Sequence, residues 1–221
     1  MRQHVTIQEI GQVTHDVKYF RVDKPDGFHF QPGQATDVSL AIPGMEEEFR
    51  PFTFTSLNSN PYLEFTIKRY ADHNGVTDKL HQLAVGDKII IGDAWGAIEY
   101  KGPGSFIAGG AGITPFIAIL RQLHIDGKME GNTLYFANKT RSDIIYEREL
   151  KAMLGNQAFF ILSNEAAGIH MHGRIDEKFI KENIKNIEQH FYVCGPDQMV
   201  KDITGILETV GAKTDTVVFE K

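Results

Sequence analysis

The sequence predicts two domains of different fold class, an antiparallel β-barrel followed by an α/β domain with a parallel, Rossmann-like sheet. Up to about residue 95, short apolar strands alternate with turn residues, which is typical of a small barrel. After Gly102-Pro103-Gly104 the pattern changes to apolar runs that recur every 26 to 32 residues, with amphipathic stretches between them. We therefore expect the first domain to span residues 1–101 and the second residues 102–221.

The predicted barrel has six strands and one short helix. Turn residues such as Pro25 and Gly33 separate the strands, and apolar residues at helical spacing predict the helix over residues 77–83. Gly75 directly precedes that helix and permits a close turn. The strands are expected at residues 5–10, 17–22, 36–40, 52–55, 63–67 and 88–91.

The second domain has four predicted core strands, at residues 105–108, 133–137, 159–162 and 191–194. Their nearly continuous apolar character indicates a parallel sheet with both faces covered. Ligands of such open sheets collect at the carboxyl ends of the strands. The residues that follow each strand are therefore the first candidates for a binding site.

Composition excludes several functional classes. The chain has 221 residues, of which 42% are hydrophobic and 24% charged, and a formal net charge of −6 does not suit a nucleic-acid partner. No apolar run approaches the roughly 20 residues of a membrane span, and the first residues lack the apolar stretch of a signal peptide. We therefore predict a cytoplasmic protein without a membrane partner.

Cysteine and histidine usage argues against a metal site. Cys194 is the single cysteine, which excludes an internal disulfide and an iron–sulfur cluster held by four thiolates of this chain. His170 and His172 form the closest histidine pair, but no carboxylate or thiol stands near them in the sequence. We predict that this pair lies in an exposed loop and binds no metal.

A glycine turn follows the first predicted strand of the second domain. Gly110 and Gly112 belong to this turn, and Thr114-Pro115 then opens a helix, with Thr114 expected as the N-cap. Small residues here let a pyrophosphate approach backbone N–H groups, where the helix dipole also favours negative charge. The segment lacks the Gly-Lys-Ser/Thr of a P-loop and the third glycine of the usual Rossmann fingerprint. A plain tight turn is the alternative.

Two further segments are candidates for binding. Arg50 begins the segment Arg-Pro-Phe-Thr-Phe-Thr-Ser and offers a permanent, forked cation that suits a pyrophosphate, although an ordinary amphipathic strand has the same pattern. Cys194-Gly195-Pro196 ends the last predicted core strand. A lone cysteine in an apolar strand is usually a small core residue, which is the alternative for Cys194.

Together and in this order, the three segments resemble the ferredoxin-NADP reductase superfamily of flavoproteins over nearly the whole chain. The resemblance implies that FAD binds the barrel and that NADH or NADPH binds the α/β domain as hydride donor. It implies that Arg50 binds the FAD pyrophosphate, that Pro51 belongs to the same segment, and that Phe52 packs on the flavin where the family usually has Tyr. The Thr53 hydroxyl is then expected to hydrogen-bond the flavin nitrogen that accepts the hydride.

The same resemblance implies further roles. Residues 67–70 and 75–80 are similar to the second flavin segment of the family, which favours FAD over FMN because two segments then converge on a diphosphate; Lys68 as a solvated strand residue is the alternative. Cys194 is implied to lie beside the nicotinamide, which makes Thr53 and Cys194 the expected catalytic residues. The remaining cofactor-binding residues implied are Ile67, Lys68, Tyr70, Gly75, Val76, Thr77, Gly110, Gly112, Thr114, Pro115, Gly195 and Pro196.

The loop after the second core strand is expected to choose between NADH and NADPH. Asn138 begins this loop, and Asp143 would repel a 2′-phosphate, as implied by the resemblance of residues 136–144 to NADH-dependent cytochrome reductases. Lys139, Arg141 and Tyr146 would instead favour the phosphate. The sequence leaves the choice open.

These observations predict an FAD-dependent NAD(P)H oxidoreductase that passes single electrons to a separate carrier protein such as flavodoxin or ferredoxin. One alternative is a direct reductase of free flavin, quinone or ferric chelate. Another is an FAD-binding electron-transfer subunit that works only inside a larger complex. The natural acceptor and the oligomeric state stay open.

Overall fold

The computed structural model describes residues 2–73, 75–96, 98–165, 168–212 and 217–219. It contains two six-stranded sheets, the first antiparallel in every described pairing and the second parallel. The predicted fold class, a barrel followed by a parallel α/β domain, is confirmed. Over these residues no helix is both long and apolar enough to cross a membrane.

The first sheet closes on itself, with strand order β4-β3-β6-β1-β2-β5. An antiparallel bridge between Phe54 and Phe65 joins the two edges, and the Thr55 N–H donates to the Glu64 carbonyl at 2.8 Å. Closure removes the unpaired edges that an open sheet would expose. The elements are β1 (Gln3–Thr14), β2 (Val17–Asp23), β3 (Ala35–Leu40), β4 (Arg50–Thr53), β5 (Tyr62–Lys68), α1 (Val76–Leu80) and β6 (Lys88–Ile91).

Aromatic packing fills the barrel. The Phe54 ring lies 4.2 Å from the Phe30 ring and 5.2 Å from the Phe65 ring, between ring centres. Strand β1 extends beyond the predicted residues 5–10 because Gly11 allows the Tyr19 ring of β2 to lie on the backbone. A Cβ at Gly11 would stand 2.2 Å from the Tyr19 ring.

The second sheet has strand order β10-β9-β8-β7-β11-β12. Phe106 packs with α2 and α3 on one face, whereas its neighbour Ile107 packs with α4 and α5 on the other. Both faces are therefore covered, as the apolar strands predict. The elements are β7 (Gly104–Gly109), α2 (Thr114–Ile125), β8 (Thr133–Asn138), α3 (Glu147–Leu154), β9 (Ala158–Leu162), β10 (Met171–His172), α4 (Glu177–Asn183), β11 (His190–Cys194), α5 (Asp197–Thr209) and β12 (Val217–Phe219).

Two local predictions are wrong. Thr114 does not cap α2, because a 3-10 turn over Gly110–Ile113 runs directly into the helix and makes Ile113 the N-cap. His170 does not lie exposed: its side chain is 2% exposed, and its Nε2 atom lies 2.8 Å from a Glu147 carboxylate oxygen. That partner is 23 residues away in the sequence. His172 is exposed but belongs to strand β10 rather than to a loop.

The segment between the sheets is fixed by Tyr192 of β11. Its hydroxyl oxygen accepts hydrogen bonds from the backbone N–H groups of Lys101 and Gly102, at 2.9 and 3.0 Å, and donates to the Gly102 carbonyl at 2.7 Å. The Tyr192 ring is stacked on Phe106 at 4.5 Å. Three backbone groups of the connection are thus satisfied by one buried side chain.

Candidate functional site

A cleft of about 1020 Å³ lies between the barrel and the carboxyl edge of the parallel sheet. Most of the residues predicted to bind cofactors line it, from both domains. These residues are Pro51, Phe52, Thr53, Ile67, Lys68, Tyr70, Thr77, Gly110, Gly112, Thr114, Asn138, Lys139, Asp143, Cys194, Gly195 and Pro196. The volume is at the upper end of the range of small-molecule and cofactor pockets, roughly 300–1,000 Å³.

Strand order brings the two segments of the α/β domain together. The chain proceeds from β7 to β8 on one side and returns to β11 on the other, so the order reverses between β7 and β11. The Gly112 turn therefore lies against the end of β11. A Cβ at Gly112 would stand 2.4 Å from the Cys194 carbonyl oxygen, and one at Gly195 would stand 3.2 Å from the Gly109 nitrogen. Only glycine fits at Gly112 without moving backbone.

The two domains touch at the predicted catalytic threonine. Thr53, at the end of β4, donates its hydroxyl proton to the Thr114 hydroxyl at 2.9 Å. Thr114 in turn donates to the Ala111 carbonyl at 3.0 Å, within the glycine turn. These hydrogen bonds place Thr53 at the contact between the barrel and the glycine turn.

Asn138 carries the clearest sign of a ligand. It is 7% exposed and lines the cleft at the end of β8, yet among the described residues neither the Nδ2 nor the Oδ1 atom of its side-chain amide has a hydrogen-bond partner. A buried polar group without a partner costs about 1–3 kcal/mol. A polar ligand in the cleft would remove that cost, so the lining fits a nucleotide.

Five predicted site residues do not line the cleft. Arg50 is one of them: its side chain is 53% exposed, lies 3.6 Å from a Glu48 carboxylate oxygen and donates to the Phe49 carbonyl at 2.7 Å. Arg141 is 64% exposed and lies 3.5 Å from Glu147. The other three belong to helix starts next to lining residues and are Gly75, Val76 and Pro115.

The loop after β8 uses Asp143 for its own structure. One carboxylate oxygen accepts hydrogen bonds from the Thr140 N–H and hydroxyl, at 2.8 and 2.7 Å, while the other lies 3.8 Å from His15 Nε2. Asp143 still lines the cleft. Tyr146, which the sequence offers as a phosphate ligand, instead shares a hydrogen bond with Thr66 of the barrel at 3.2 Å.

Lys68 has a partner that the sequence did not indicate. Its ammonium group lies 3.0 Å from the Asp16 carboxylate, which also lines the cleft. Burial raises the pKa of Asp16, but hydrogen bonds from Lys68 and Thr14 outweigh it, so that the pKa lies below its ordinary value. Asp16 is therefore ionised at neutral pH and neutralises Lys68.

Sequence reasoning missed twelve lining residues. Ser163 follows β9 at the carboxyl edge, so the rule for parallel sheets could have found it. Arg174 is exposed and brings a cation to this wall, but no local pattern marks it. The twelve are Asp16, Thr66, Gly109, Ala111, Ala137, Ser163, Gly173, Arg174, Ile175, Met199, Asp202 and Ile203.

Known proteins share this organisation. The oxidoreductase FAD-binding domain family matches residues 4–100, and the oxidoreductase NAD-binding domain family matches residues 106–205. The reductase component of propane 2-monooxygenase from Rhodococcus jostii is 28% identical over 232 residues, covering 97% of this chain and 62% of that protein. NADH-cytochrome b5 reductase 2 from Coccidioides immitis is 29% identical over 259 residues, covering 94% and 74%. The chain spans about three-fifths of the length of the first of these relatives.

Solved structures have the same fold. The FAD/NAD-binding domain of nitric oxide dioxygenase from Vibrio cholerae superposes with a TM-score of 0.88 at 23% identity, over 99% of this chain and 97% of that one. A ferredoxin NADP+ reductase from Neisseria gonorrhoeae, with FAD and NADP bound, gives 0.85 at 19% identity, over 99% and 98%. The two domain matches together cover most of the chain and identify it as an oxidoreductase with an FAD-binding domain followed by an NAD-binding domain, and these solved structures share its two-domain fold.

Proposed function

We propose that this protein passes electrons from NAD(P)H to a separate carrier protein such as flavodoxin or ferredoxin. Bound FAD supplies the chemistry, since it accepts a hydride and releases electrons singly. The observation that carries the proposal is the cleft that residues of both domains line. Support also comes from relatives named as reductase components of oxygenase systems. A haem carrier is the second candidate, because other relatives are named NADH-cytochrome b5 reductases.

We propose that the barrel side of the cleft holds FAD. Phe52 offers its ring and Thr53 its hydroxyl to the flavin, and Arg50 turns from Glu48 to the pyrophosphate. Residues on β5 and at the start of α1 hold the rest of the cofactor and are Ile67, Lys68, Tyr70, Gly75, Val76 and Thr77. We take residues 1–101 as this domain, since the change from antiparallel to parallel strands falls between Ile91 and Gly104.

The α/β domain, residues 102–221, is proposed to hold the dinucleotide. The glycine turn with Thr114 and Pro115 binds its pyrophosphate, and Cys194, Gly195 and Pro196 align the nicotinamide. The unpaired Asn138 amide and the Arg174 guanidinium bind polar groups further along the nucleotide, with Lys139 and Arg141 at the entrance. The chain's task is therefore geometric: it orients two nucleotides and excludes water between them.

The proposal is tested with purified protein under anaerobic conditions. We expect released flavin to be FAD, bleaching of the flavin absorbance by NADH or NADPH, and turnover that saturates with micromolar flavodoxin, ferredoxin or cytochrome b5. Turnover of free flavin, quinone or ferric chelate alone, with no saturation by any carrier, would favour the direct reductase. Activity that appears only after assembly with another subunit, seen by size-exclusion mass, would favour the subunit alternative.

Dinucleotide preference gives a charge-based prediction. Asp143→Asn keeps an oxygen that can accept from Thr140 but removes the negative charge, and two unit charges about 4 Å apart interact by roughly 4 kcal/mol at an effective dielectric near 20. Solvent and Lys139 reduce this repulsion. Its removal should therefore raise kcat/KM for NADPH about tenfold, which corresponds to about 1.4 kcal/mol. The value for NADH should change less than about threefold.

Arg174→Ala is the companion variant. It should lower kcat/KM for NADPH more than for NADH, because a guanidinium favours a 2′-phosphate. If Asp143→Asn leaves both dinucleotides unchanged while Asp143→Ala alters both, Asp143 acts only through its loop.

A further inference from the structure

A cluster of charged and hydroxyl side chains joins the two domains beside the cleft. We call it the interdomain cluster. Strand β5 and its neighbours contribute one half, and helices α2 and α3 contribute the other. Its members are Arg21, Thr55, Glu64 and Thr66 from the barrel and Arg121, Tyr146 and Glu149 from the α/β domain.

Arg121 is the centre of this cluster. Its Nη1 atom donates across the domain boundary to the Thr55 carbonyl at 2.6 Å and to a Glu64 carboxylate oxygen at 2.8 Å. Its Nε and Nη2 atoms donate to the two Glu149 oxygens at 2.6 and 3.0 Å, within its own domain. The Glu64 side chain is only 3% exposed. One rigid guanidinium fork therefore binds both domains, and its carboxylate partner in the barrel is shielded from water.

Burial lowers the pKa of Arg121, but the hydrogen bonds and charges of its two carboxylate partners outweigh it, and the pKa lies above its ordinary value. The cation is therefore permanent. Because Glu64 is buried, water cannot readily replace Arg121 as its partner from the other domain.

A second connection runs through hydroxyl groups. Thr55 donates to Glu64 at 3.0 Å and shares a hydrogen bond with Thr66 at 3.1 Å, and Thr66 reaches the Tyr146 hydroxyl at 3.2 Å. Burial and the Glu64 charge raise the pKa of Tyr146 to about 12, so its phenol stays protonated. Thr66 also lines the cleft.

Tyr146 adopts a left-handed backbone, with φ 54° and ψ 35°, and no other non-glycine within the described ranges has positive φ. Such a conformation is uncommon outside glycine, and it persists where the surroundings hold it. Here it places the ring 5.3 Å from the Arg121 guanidinium and the hydroxyl against Thr66. The strained backbone of Tyr146 thus positions its side chain for contact between the domains.

We propose that Arg121 is a positioning residue, which through Glu64 fixes the α/β domain on the barrel and so sets the separation of the flavin and nicotinamide sites. The two elements that Arg121 joins, β5 and α2, also carry residues next to the two cofactor sites. Strand β5 carries Glu64 and the cleft residue Lys68, while α2 carries Arg121 two turns after Thr114, the partner of Thr53. Reacting atoms must lie about 3–3.5 Å apart, and an error of about 1 Å costs about a hundredfold in rate.

The chain offers a matched pair of variants for the test. Arg121 and Arg21 both donate to Glu64, at 2.8 and 2.9 Å, but Arg21 does so from within the barrel. In the FAD-loaded Arg121→Met protein, we expect the rate of flavin reduction at saturating dinucleotide to fall at least about tenfold. The dissociation constant of the dinucleotide should change less than about threefold, because its binding wall lies mainly in one domain. Arg21→Met should keep the saturating rate within about twofold.

Calorimetry supplies a readout that is independent of activity. We expect Arg121→Met to split thermal unfolding into separate transitions of barrel and α/β domain, and Arg21→Met to shift unfolding without splitting it. Arg121→Lys keeps the charge but lacks the planar fork that binds both Glu149 oxygens while it donates to Thr55 and Glu64, so its rate and unfolding should lie between those of wild type and Arg121→Met. If Arg121→Met does not fold, the Arg121→Lys protein is used for the same measurements. Equal losses in rate for the Arg21 and Arg121 variants, or an unchanged saturating rate in the Arg121 variants, would overturn the proposal.

Discussion

Gly112→Ala is expected to lower the rate of flavin reduction by NAD(P)H about a hundredfold or more, while FAD stays bound. The added Cβ would stand 2.4 Å from the Cys194 carbonyl oxygen and 2.5 Å from the Gly195 nitrogen, and both are backbone atoms. The ends of β7 and β11 must then move apart by roughly 1 Å, a displacement that costs about a hundredfold in an oriented reaction. The substitution acts on the α/β domain alone, so the FAD content reports an intact barrel.

The measurement is rapid mixing of the FAD-loaded variant with NADH and with NADPH, followed at the flavin absorbance. Gly205→Ala is the matched control, since nothing lies within 4 Å of a Cβ at that exposed position of α5 and alanine favours a helix. It should reduce flavin as wild type does. A Gly112→Ala protein with the wild-type rate would show that the turn does not contact the dinucleotide.

Arg50→Ala is expected to weaken FAD binding at least about tenfold. Each charge-assisted hydrogen bond to the pyrophosphate contributes about 1.5–3 kcal/mol, and 1.4 kcal/mol is a factor of ten in affinity. Within the part of the chain that the structure describes, the partners of Arg50 are Glu48 and the Phe49 carbonyl on the surface, so we expect little stability to be lost with it. The loss should therefore appear in the FAD dissociation constant and not in the unfolding of the apoprotein.

Arg2→Ala provides the comparison for Arg50. Arg2 is 57% exposed, pairs with Glu47 at 2.7 Å and lies over the Phe49 ring, close in the chain to the Glu48 partner of Arg50. Its removal makes the same change in net charge, but within the described residues Arg2 has no lining residue beside it in the chain, whereas Arg50 is followed by the lining residue Pro51. Equal FAD affinity in the two variants would mean that Arg50 acts only through the overall charge of this surface.

The sheets could be predicted because the apolar pattern of each strand lies within the residues of that strand. All six barrel strands and the four core strands of the parallel sheet occur close to the expected positions. The extension of β1 past Gly11 depends on the Tyr19 ring of another strand, and the two-residue strand β10 is too short to have a pattern. Both depend on contacts made only in the folded chain.

Much of the cleft followed from one rule, that ligands gather where parallel strands end. That rule led to Gly112, Asn138 and Cys194, which line the cleft together. Arg174 and the interdomain cluster were missed because their neighbours are distant in the chain, as for Arg121 and Glu64, which are 57 residues apart. The role of Asp143 could not be decided either, because a carboxylate that binds its own loop has the same sequence pattern as one that faces a ribose.

The hydroxyl of Tyr192 bears on the order in which the molecule is assembled during synthesis. This hydroxyl accepts a hydrogen bond from the backbone N–H of Lys101, which lies 91 residues earlier in the chain. The ribosome therefore completes the barrel strands long before Tyr192 is synthesised. Until β11 pairs with β7, the backbone groups of Lys101 and Gly102 bond water in place of this hydroxyl, and the connection lacks its anchor. We therefore expect the connection between the domains to be fixed late in synthesis, by the same strand that ends in Cys194.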